Sequence, residues 1–183
     1  RILSVTDLPV TIDMESGYGA DPSAVGISVG RAFAAGAAGI NMEDRLPGQN
    51  DLLAIDEAAS RYRAAADTGI FVNARCDSFR GQDAEKDGDA LVAAVLERAQ
   101  AYADAGAGSL FVPFLRHAKS IGAICEGSPL PVNILRDKGG PTHKELAGLG
   151  VARISHGHQP WAAAMAWLTA QAQQVLGGGE PDY

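Results

Sequence analysis

The sequence repeats one unit, in which an apolar strand leads into a polar loop, a helix and a stop made of small residues. The stop reads Ala-Gly-Ala-Ala-Gly-Ile at residues 35–40 and Ala-Gly-Ala-Gly-Ser-Leu at residues 105–110, and residues 148–151 are a looser copy. Strands that alternate with helices predict a parallel sheet covered by helices. The repeat therefore restricts the fold to two α/β alternatives, a barrel and an open doubly wound sheet.

Six strands and six helices are predicted within one domain over residues 1–176, followed by a flexible tail at 177–183. The strands cover residues 9–13, 38–43, 70–75, 109–113, 130–135 and 151–155. The helices cover residues 22–35, 56–67, 89–105, 118–125, a short segment after 142, and 160–176. Thr142 and Glu145 have the spacing of a capping box, which predicts the start of the short helix.

Polar side chains collect at the carboxyl ends of these strands, and this distinguishes the two folds. They are Asp13, Glu15, Glu43, Arg75, Asn133 and Ser155. Active sites of α/β barrels lie at that face and draw on many strands. No strand is followed by a GxGxxG loop, which argues against the doubly wound sheet. A (β/α)8 TIM-barrel-like fold needs eight strands, so we expect two further βα units to precede residue 1.

The segment Asp13-Met14-Glu15-Ser16-Gly17-Tyr18-Gly19 predicts half of a divalent-metal site. In a strand, side chains i and i+2 point to the same face, which places Asp13 beside Glu15. Two adjacent carboxylates repel unless a cation or a shared proton lies between them. The glycines permit a sharp turn that leaves space above the acids. The alternative is a solvated acidic turn after a strand.

Composition limits the kinds of partner. The chain has 183 residues and a net charge of −7 without a basic patch, which argues against nucleic acid. No apolar run is long enough to span a bilayer, so no membrane association is expected. Two cysteines are too few for a disulfide framework and suggest a reducing compartment. We therefore predict a cytoplasmic location.

Four ordered motifs resemble those of the isocitrate lyase/phosphoenolpyruvate mutase superfamily. Asp13–Gly19 resembles its metal-site strand, Asp-x-Asp/Glu followed by x-Gly-Tyr-Gly. Gly39–Asp44 is similar to the next strand, and Asn73–Asp77 to its Ala-Arg-Thr-Asp strand, with cysteine in place of threonine. Leu130–Asn133 is similar to a later strand whose asparagine touches substrate. The resemblance extends from about residue 8 to residue 176.

The resemblance implies a modified (β/α)8 barrel whose last helix is exchanged between subunits of a homo-oligomer. It also implies a Mg²⁺ cofactor, for which Mn²⁺ can substitute. The matching metal positions are Asp13, Glu15 and Glu43, partly through water. Arg75 matches the arginine that binds the substrate carboxylate, and Asn133 matches a polar substrate contact. Arg75 and Glu43 are accordingly the catalytic candidates. A salt bridge to Asp77 or Glu43 is the alternative role for Arg75.

Three further positions are weaker substrate-binding candidates. Gly17 and Tyr18 follow the metal-site strand, although Tyr18 could equally be a packed turn aromatic. The loop 45–51 lacks the cysteine, lysine and histidine of isocitrate and methylisocitrate lyases, which argues against both activities. Asn50 matches an asparagine of phosphonopyruvate-processing members, but their lysine is absent.

The function that the resemblance implies is Mg²⁺-dependent making or breaking of a C–C or P–C bond in a small 2-oxo acid or phosphonate, through an enolate. The alternatives are an oxo-acid hydrolase or decarboxylase of the same superfamily, or a non-catalytic barrel that binds an oxo acid. The family's catalytic aspartate and serine-rich substrate loop match nothing in this sequence and are expected before residue 1.

Four features remain outside this function. The stretches 156–158, His-Gly-His, and 138–140, Lys-Gly-Gly, are candidate anion contacts near late strands. Cys76 is expected to be a small buried residue. The last helix carries an apolar stripe that fits an exchanged helix, or a terminal helix with an exposed tryptophan. The stripe consists of Trp161, Met165, Leu168 and Val175.

Overall fold

The computed structural model describes residues 1–183 and contains one six-stranded parallel sheet in the strand order 1-2-3-4-5-6. The strands are β1 (Thr11–Asp13), β2 (Gly39–Glu43), β3 (Phe71–Arg75), β4 (Ser109–Val112), β5 (Val132–Leu135) and β6 (Arg153–Ser155). All six predicted strands are therefore present, and most are one or two residues shorter at the amino end than expected. A 3₁₀ turn over Ile2–Ser4 precedes them.

A helix follows each strand. They are α1 (Pro22–Ala34), α2 (Ile55–Ala66), α3 (Ala84–Asp104), α4 (Ala118–Gly127), α5 (His143–Gly148) and α6 (Gln159–Leu176). The capping box of Thr142 and Glu145 at the start of α5 is confirmed. The predicted start of α3 at residue 89 is wrong, because the Asp83 side chain accepts the N–H groups of Glu85 and Lys86 and begins the helix at Ala84.

The sheet curls into a partial barrel. Thr11 and Asp13 of the first strand line the same cavity, of about 630 Å³, as Arg153 and Ser155 of the last strand. Strands β1 and β6 do not pair with each other, so the sheet is not closed. The structure thus has six strands of a barrel-like α/β fold, and the two additional βα units remain a prediction.

The alternation of side chains separates an apolar layer from a polar interior. Ile40, Met42, Val72 and Leu110 are fully or almost fully buried in the layer between the strands and the helices. Burying each such side chain contributes roughly 1.5–3 kcal/mol. The residues between them along the strands point into the barrel and are mostly polar. This arrangement leaves the barrel interior free to carry chemistry.

Helix α6 does not follow this packing. Its only buried residue is Gln171, whereas Trp161 is 65% and Leu168 51% exposed. The final segment, 177–183, folds back along the helix, where the Asp182 N–H donates to Gln171 Oε1 at 2.6 Å and the Tyr183 and Trp167 rings lie 5.9 Å apart. The flexibility that the sequence predicts for this segment remains a prediction. None of the helices combines the length and apolarity needed to cross a membrane.

Candidate functional site

A continuous line of hydrogen bonds crosses the barrel interior at one level of the sheet. Ser109 Oγ donates to Asn73 Oδ1 at 2.6 Å, Asn73 Nδ2 donates to Asn41 Oδ1 at 3.2 Å, and Asn41 Nδ2 donates to Asp13 Oδ1 at 2.9 Å. These four residues are register partners on β1 to β4. The line fixes the Asp13 carboxylate at the carboxyl end of β1.

Next to this line lies a small polar cleft of about 50 Å³ that no hydrophobic side chain lines. Its lining residues are Asp13, Glu15, Asn41, Glu43 and Arg75. The structure thus brings together the three predicted metal ligands and the predicted substrate arginine, since all four line one space at the carboxyl edge of β1 to β3.

Glu15 reaches the cleft by a different route from the one that strand alternation predicts. Strand β1 ends at Asp13, and Glu15 has a φ of +48°. Its carbonyl accepts the Glu43 N–H at 2.8 Å, which extends the pairing of β1 with β2 beyond the strand. A left-handed turn, stabilised by that hydrogen bond, therefore places this carboxylate.

Gly17 and Tyr18 shape the turn. Gly17 has a φ of +96°, and a Cβ there would lie 2.7 Å from Val25 Cγ1 and 2.9 Å from Met42 Sδ. Only glycine fits, so its evident role is conformational. Tyr18 is 65% exposed and does not line the acidic cleft. The predicted substrate contacts of both residues remain untested.

Glu43 and Arg75 form the charged centre of the cleft. Arg75 Nη2 lies 2.9 Å from Glu43 Oε2, and the two residues are cross-strand partners. Glu43 is 7% exposed, and this burial raises its pKa above the ordinary glutamate value, although the positive charge of Arg75 opposes the rise. Arg75 therefore stabilises the charged form of the Glu43 side chain against the effect of burial.

Asp77 holds the Arg75 guanidinium in place from the other side. Arg75 Nε donates to Asp77 Oδ1 at 2.6 Å and Nη2 donates to Oδ2 at 2.9 Å, a bidentate pair. Arg45 Nε lies 3.3 Å and Arg80 Nη1 lies 3.8 Å from Asp77 Oδ2. Arg75 therefore forms salt bridges to both Asp77 and Glu43, the two partners that the sequence analysis gave as alternatives to substrate binding. These pairs use its Nε and Nη2 atoms and leave Nη1 without a partner.

A buried network behind the strands supports Asp77. Asp44 is fully buried, and its Oδ1 accepts the Asp77 N–H at 3.0 Å. Its Oδ2 accepts from the Tyr102 hydroxyl at 2.6 Å and from Arg98 Nη1 at 3.2 Å. Burial raises the pKa of Asp44, and the Tyr102 hydrogen bond opposes the rise. Asp44 therefore has a structural role, linking α3 to the loop after β3.

The other sequence candidates are spread around this centre. Asn133 is fully buried, its Oδ1 accepts from Ser155 Oγ at 3.2 Å, and its Nδ2 has no hydrogen-bond partner. Asn50 is exposed in the loop after β2 and lines neither the acidic cleft nor the 630 Å³ cavity. Cys76 is fully buried as expected, and burial raises the pKa of its thiol.

The donor set fits a hydrated magnesium ion rather than a bare one. No group of three or more His, Cys, Asp or Glu side chains is close enough to enclose a metal directly. Three carboxylates nevertheless line one cleft without apolar neighbours. Mg²⁺ prefers oxygen ligands and keeps several of its waters, so it needs only one or two direct carboxylates. Asp13, Glu15 and Glu43 are suited to that kind of binding.

The cleft adjoins the larger cavity of the barrel, which is about 630 Å³ in volume. Asp13, Asn41 and Arg75 line both spaces. At the far side the cavity is lined by Arg153, His156 and other residues of β6 and the loop that follows it. A small molecule that touches Arg75 could therefore extend across the barrel towards β6.

A parallel, barrel-like sheet with carboxylates and a guanidinium gathered at its carboxyl edge defines the class of α/β-barrel proteins that carry a polar site at the strand ends. Within that class the family is shown directly. The family model described as phosphoenolpyruvate phosphomutase matches residues 1–176. The chain belongs to this family, and the resemblance of its four motifs to the isocitrate lyase/phosphoenolpyruvate mutase superfamily is confirmed.

Individual relatives agree with this assignment. A proposed phosphonomutase from Burkholderia cenocepacia J2315, known from its crystal structure, is 47% identical with a TM-score of 0.91, and the match covers 95% of this chain and 72% of that one. An oxaloacetate decarboxylase of Rhodopseudomonas palustris is 31% identical over 196 residues, covering 99% of this chain and 63% of the relative. An uncharacterized protein of Mycobacterium tuberculosis is 32% identical over 175 residues, covering 93% and 62%. The chain thus spans less than two thirds of these two curated relatives.

Sequence reasoning missed several residues of the site. Asn41 and Asn73 entered the sequence analysis only as members of strand motifs, and Ser109 and Arg153 were not singled out. The available signal was register, because inward residues of neighbouring parallel strands meet at one level. Arg153 is the cross-strand partner of Asn133 and could have been found in that way.

Proposed function

We propose that the complete protein is a Mg²⁺-dependent enzyme that makes or breaks a C–C or P–C bond in a small 2-oxo acid through an enolate. The observation that carries the proposal is the shared cleft of Asp13, Glu15, Glu43 and Arg75. Membership of the phosphoenolpyruvate phosphomutase family and similarity to an oxaloacetate decarboxylase and a proposed phosphonomutase support it.

The side chains divide the work between holding a cation and holding a carboxylate. Asp13, Glu15 and Glu43 would hold a hydrated Mg²⁺, which would supply Lewis-acid stabilisation of negative charge developing on the oxo group. The bidentate pair with Asp77 fixes the orientation of the Arg75 guanidinium and leaves its Nη1 without a partner. Arg75 binds the substrate carboxylate through this free Nη1. The unpaired Asn133 Nδ2 is a further hydrogen-bond donor to substrate.

The loop after β2 narrows the range of family reactions that this chain can carry out. The loop from Arg45 to Asp51 offers no cysteine, lysine or histidine, so proton transfer by a loop cysteine is not available to this chain. In addition, Arg45 is engaged, with Nη1 donating to the Gln49 carbonyl at 2.7 Å. We therefore propose a lyase or phosphonomutase that is neither isocitrate lyase nor methylisocitrate lyase. The second candidate is a hydrolase or decarboxylase of the same superfamily, and the similarity to oxaloacetate decarboxylases favours it.

The experiment is a panel of 2-oxo acids and phosphonopyruvate, assayed with the complete natural protein with and without a chelator. We expect turnover that the chelator abolishes and Mg²⁺ restores. Glu43→Gln should lower kcat/KM by about 100-fold, which corresponds to about 2.7 kcal/mol of transition-state stabilisation. Glu97→Gln, on the exposed face of α3, is the matched control and should leave it unchanged.

Two outcomes would contradict the proposal. Turnover that is indifferent to both the chelator and the Glu43 substitution would rule out the metal site. Binding of oxalate with Mg²⁺ but no turnover of any tested compound would instead support the alternative of a non-catalytic barrel that binds oxo acids.

A further inference from the structure

One wall of the barrel cavity is apolar, although most of the other residues that line the cavity are polar. Phe111 lies on β4 between Arg75 of β3 and Asn133 of β5 and is the register partner of both. Its ring is 7% exposed and lines the 630 Å³ cavity, as Arg75 does. The space next to the proposed carboxylate-binding arginine is therefore bounded on the β4 side by hydrocarbon.

This apolar surface continues to the rim of the barrel. Pro113 follows β4 and Leu135 ends β5, two residues beyond Phe111 and Asn133, and both line the cavity. Phe114, the next residue after Pro113, lines it as well. Phe111, Pro113, Phe114 and Leu135 together form the apolar wall. A cavity with a charged side and an apolar wall suits a ligand that is ionic at one end and hydrocarbon at the other.

Phe114 is held in a conformation that phenylalanine rarely adopts. Its φ is +65°, in the left-handed region, where a residue with a bulky side chain is a clear outlier. Conformations of this kind persist only where the surrounding structure fixes them, and they are concentrated at active sites and ligand-binding sites. A relaxed backbone would redirect the ring, so the strain maintains this part of the apolar wall.

The Phe114 ring also lies against the arginine that is proposed to bind the substrate. The guanidinium carbon of Arg75 lies 5.8 Å and that of Arg80 lies 5.5 Å from the ring centre, both within the range of a cation–π contact. Phe114 is nevertheless 41% exposed, so its ring is not part of the buried core. A ligand whose carboxylate is held by Arg75 therefore has its carbon chain close to this ring.

We propose that the apolar wall binds an alkyl substituent of the substrate, with Phe114 as the residue that determines this specificity. Resting on the proposed function, this inference names the substrate class as 2-oxo acids that carry an alkyl group beyond the oxo group. Burying such a group increases affinity by about fourfold for each methylene. The polar cleft then holds the charged end, which all 2-oxo acids share, and the apolar wall discriminates among them.

The test compares pyruvate, 2-oxobutanoate and 2-oxopentanoate, whose binding to the complete natural protein with Mg²⁺ is measured by calorimetry. The three acids share the carboxylate and the oxo group and differ by one methylene at each step. We expect the dissociation constant of the wild type to fall by about fourfold per methylene. Phe114→Ala should reduce this increment to less than about twofold, whereas Phe114→Leu, which keeps an apolar side chain, should retain most of it.

Two further variants separate a binding role from a structural one. Phe33→Ala removes a ring of α1 that is 48% exposed and does not line the cavity, and it should leave the increment unchanged. Leu135→Ala shortens the apolar wall from β5 and should lower the increment, which provides the test if Phe114→Ala does not fold. Because the increment is a ratio between ligands with the same charged end, a general weakening of the site cancels from it.

The outcomes distinguish this inference from the proposed function, with oxalate as the ligand that has no hydrocarbon part. Binding of oxalate and pyruvate with Mg²⁺ but no gain along the series overturns the apolar wall, while the proposed function stands. An increment that survives both Phe114→Ala and Leu135→Ala also overturns it. A Phe114-dependent increment that is indifferent to Mg²⁺, without binding of oxalate, supports the apolar wall and overturns the metal site. Failure of every ligand to bind overturns both.

Discussion

Asp77 has a larger part in the site than its position suggests. It is 2% exposed and accepts both hydrogen bonds of the Arg75 fork, while two further arginines lie within 3.8 Å. A buried carboxylate that serves several guanidiniums sets their orientation, because removing its charge leaves all of them unpaired in a partly desolvated space. The geometry of Arg75 therefore depends on Asp77 at least as much as on Glu43.

Replacing Asp77 with asparagine tests this dependence. Asp77→Asn keeps the size of the side chain but removes its charge, and we expect a loss of roughly 3–5 kcal/mol of unfolding free energy together with weaker substrate binding. Denaturant unfolding and KM are the measurements. The control is Asp89→Asn, whose side chain is 91% exposed and pairs with Lys119, and which should change stability by less than about 0.5 kcal/mol. Wild-type stability and KM in Asp77→Asn would refute the role.

At the level of single residues, types and positions were predictable from the sequence, but contacts were not. Asp13, Glu43 and Arg75 were located by strand ends and motifs, and the structure brings them into one cleft. The role of Asp44 as the acceptor for the Asp77 N–H depends on α3 supplying Tyr102 and Arg98 from more than fifty positions away. Contacts of that range depend on how helices pack on the sheet, which local patterns do not specify.

Among the elements, the turn between β1 and α1 is the one that the site depends on most. Gly17 adopts a positive φ in contact with Val25 and Met42, and Gly19 lies against the backbone at Val25. Arg61 of α2 holds the same turn from outside, since its guanidinium donates to the carbonyls of Gly19 and Ala20 at 3.0 and 2.8 Å. This turn positions Glu15, so its conformation decides whether three carboxylates or two face the cleft.

A pair of glycine substitutions isolates the packing of this turn. Gly17→Ala introduces a methyl group 2.7 Å from Val25 Cγ1, whereas Gly48→Ala at a similarly positive φ meets nothing within 4 Å. Both carry backbone strain, and the first adds steric overlap, so it should be less stable than the second by roughly 1–3 kcal/mol. Gly17→Ala should also weaken Mg²⁺ binding, measured by calorimetry. Equal effects of the two substitutions would show that the turn adapts without cost.

The elements themselves were largely predictable, and the misplaced boundary has an identifiable cause. Apolar runs and small-residue stops located every strand, because the strands of a parallel sheet covered by helices need apolar side chains towards those helices. The start of α3 was placed five residues late, since the charged stretch from Ala84 to Gly88 reads as a loop although Asp83 caps it. The position of Glu15 was also mispredicted in detail, because strand alternation does not extend through a residue with left-handed φ.

For the whole molecule, the unexplained element is α6. Its two tryptophans, Trp161 and Trp167, are 65% and 51% exposed, and Gln171 is its one buried residue. The helix therefore does not contribute to the core of its own barrel. Exposed apolar surface of this kind usually marks an interface. The exchanged helix of a homo-oligomer, which the family resemblance implies, remains our prediction for it.

Substitution of the helix surface tests that prediction. Trp161→Gln combined with Leu168→Gln removes two large apolar side chains that are each more than half exposed, and should convert an oligomer to single chains in analytical ultracentrifugation. Gln173→Ala on the same helix is the control and should leave the mass unchanged. A wild-type protein that sediments as a single chain at every concentration would refute the prediction.

The hydrogen-bonded line from Ser109 to Asp13 has a direction, since every donor along it faces β1. A carboxylate can only accept while it is ionised, and this choice propagates to both amides and to the serine hydroxyl. Reversing the bond between Asn41 and Asp13 would require each amide to rotate by half a turn. The orientation of a hydroxyl on the fourth strand is thereby tied to a carboxylate on the first, through the amides of the two strands between them.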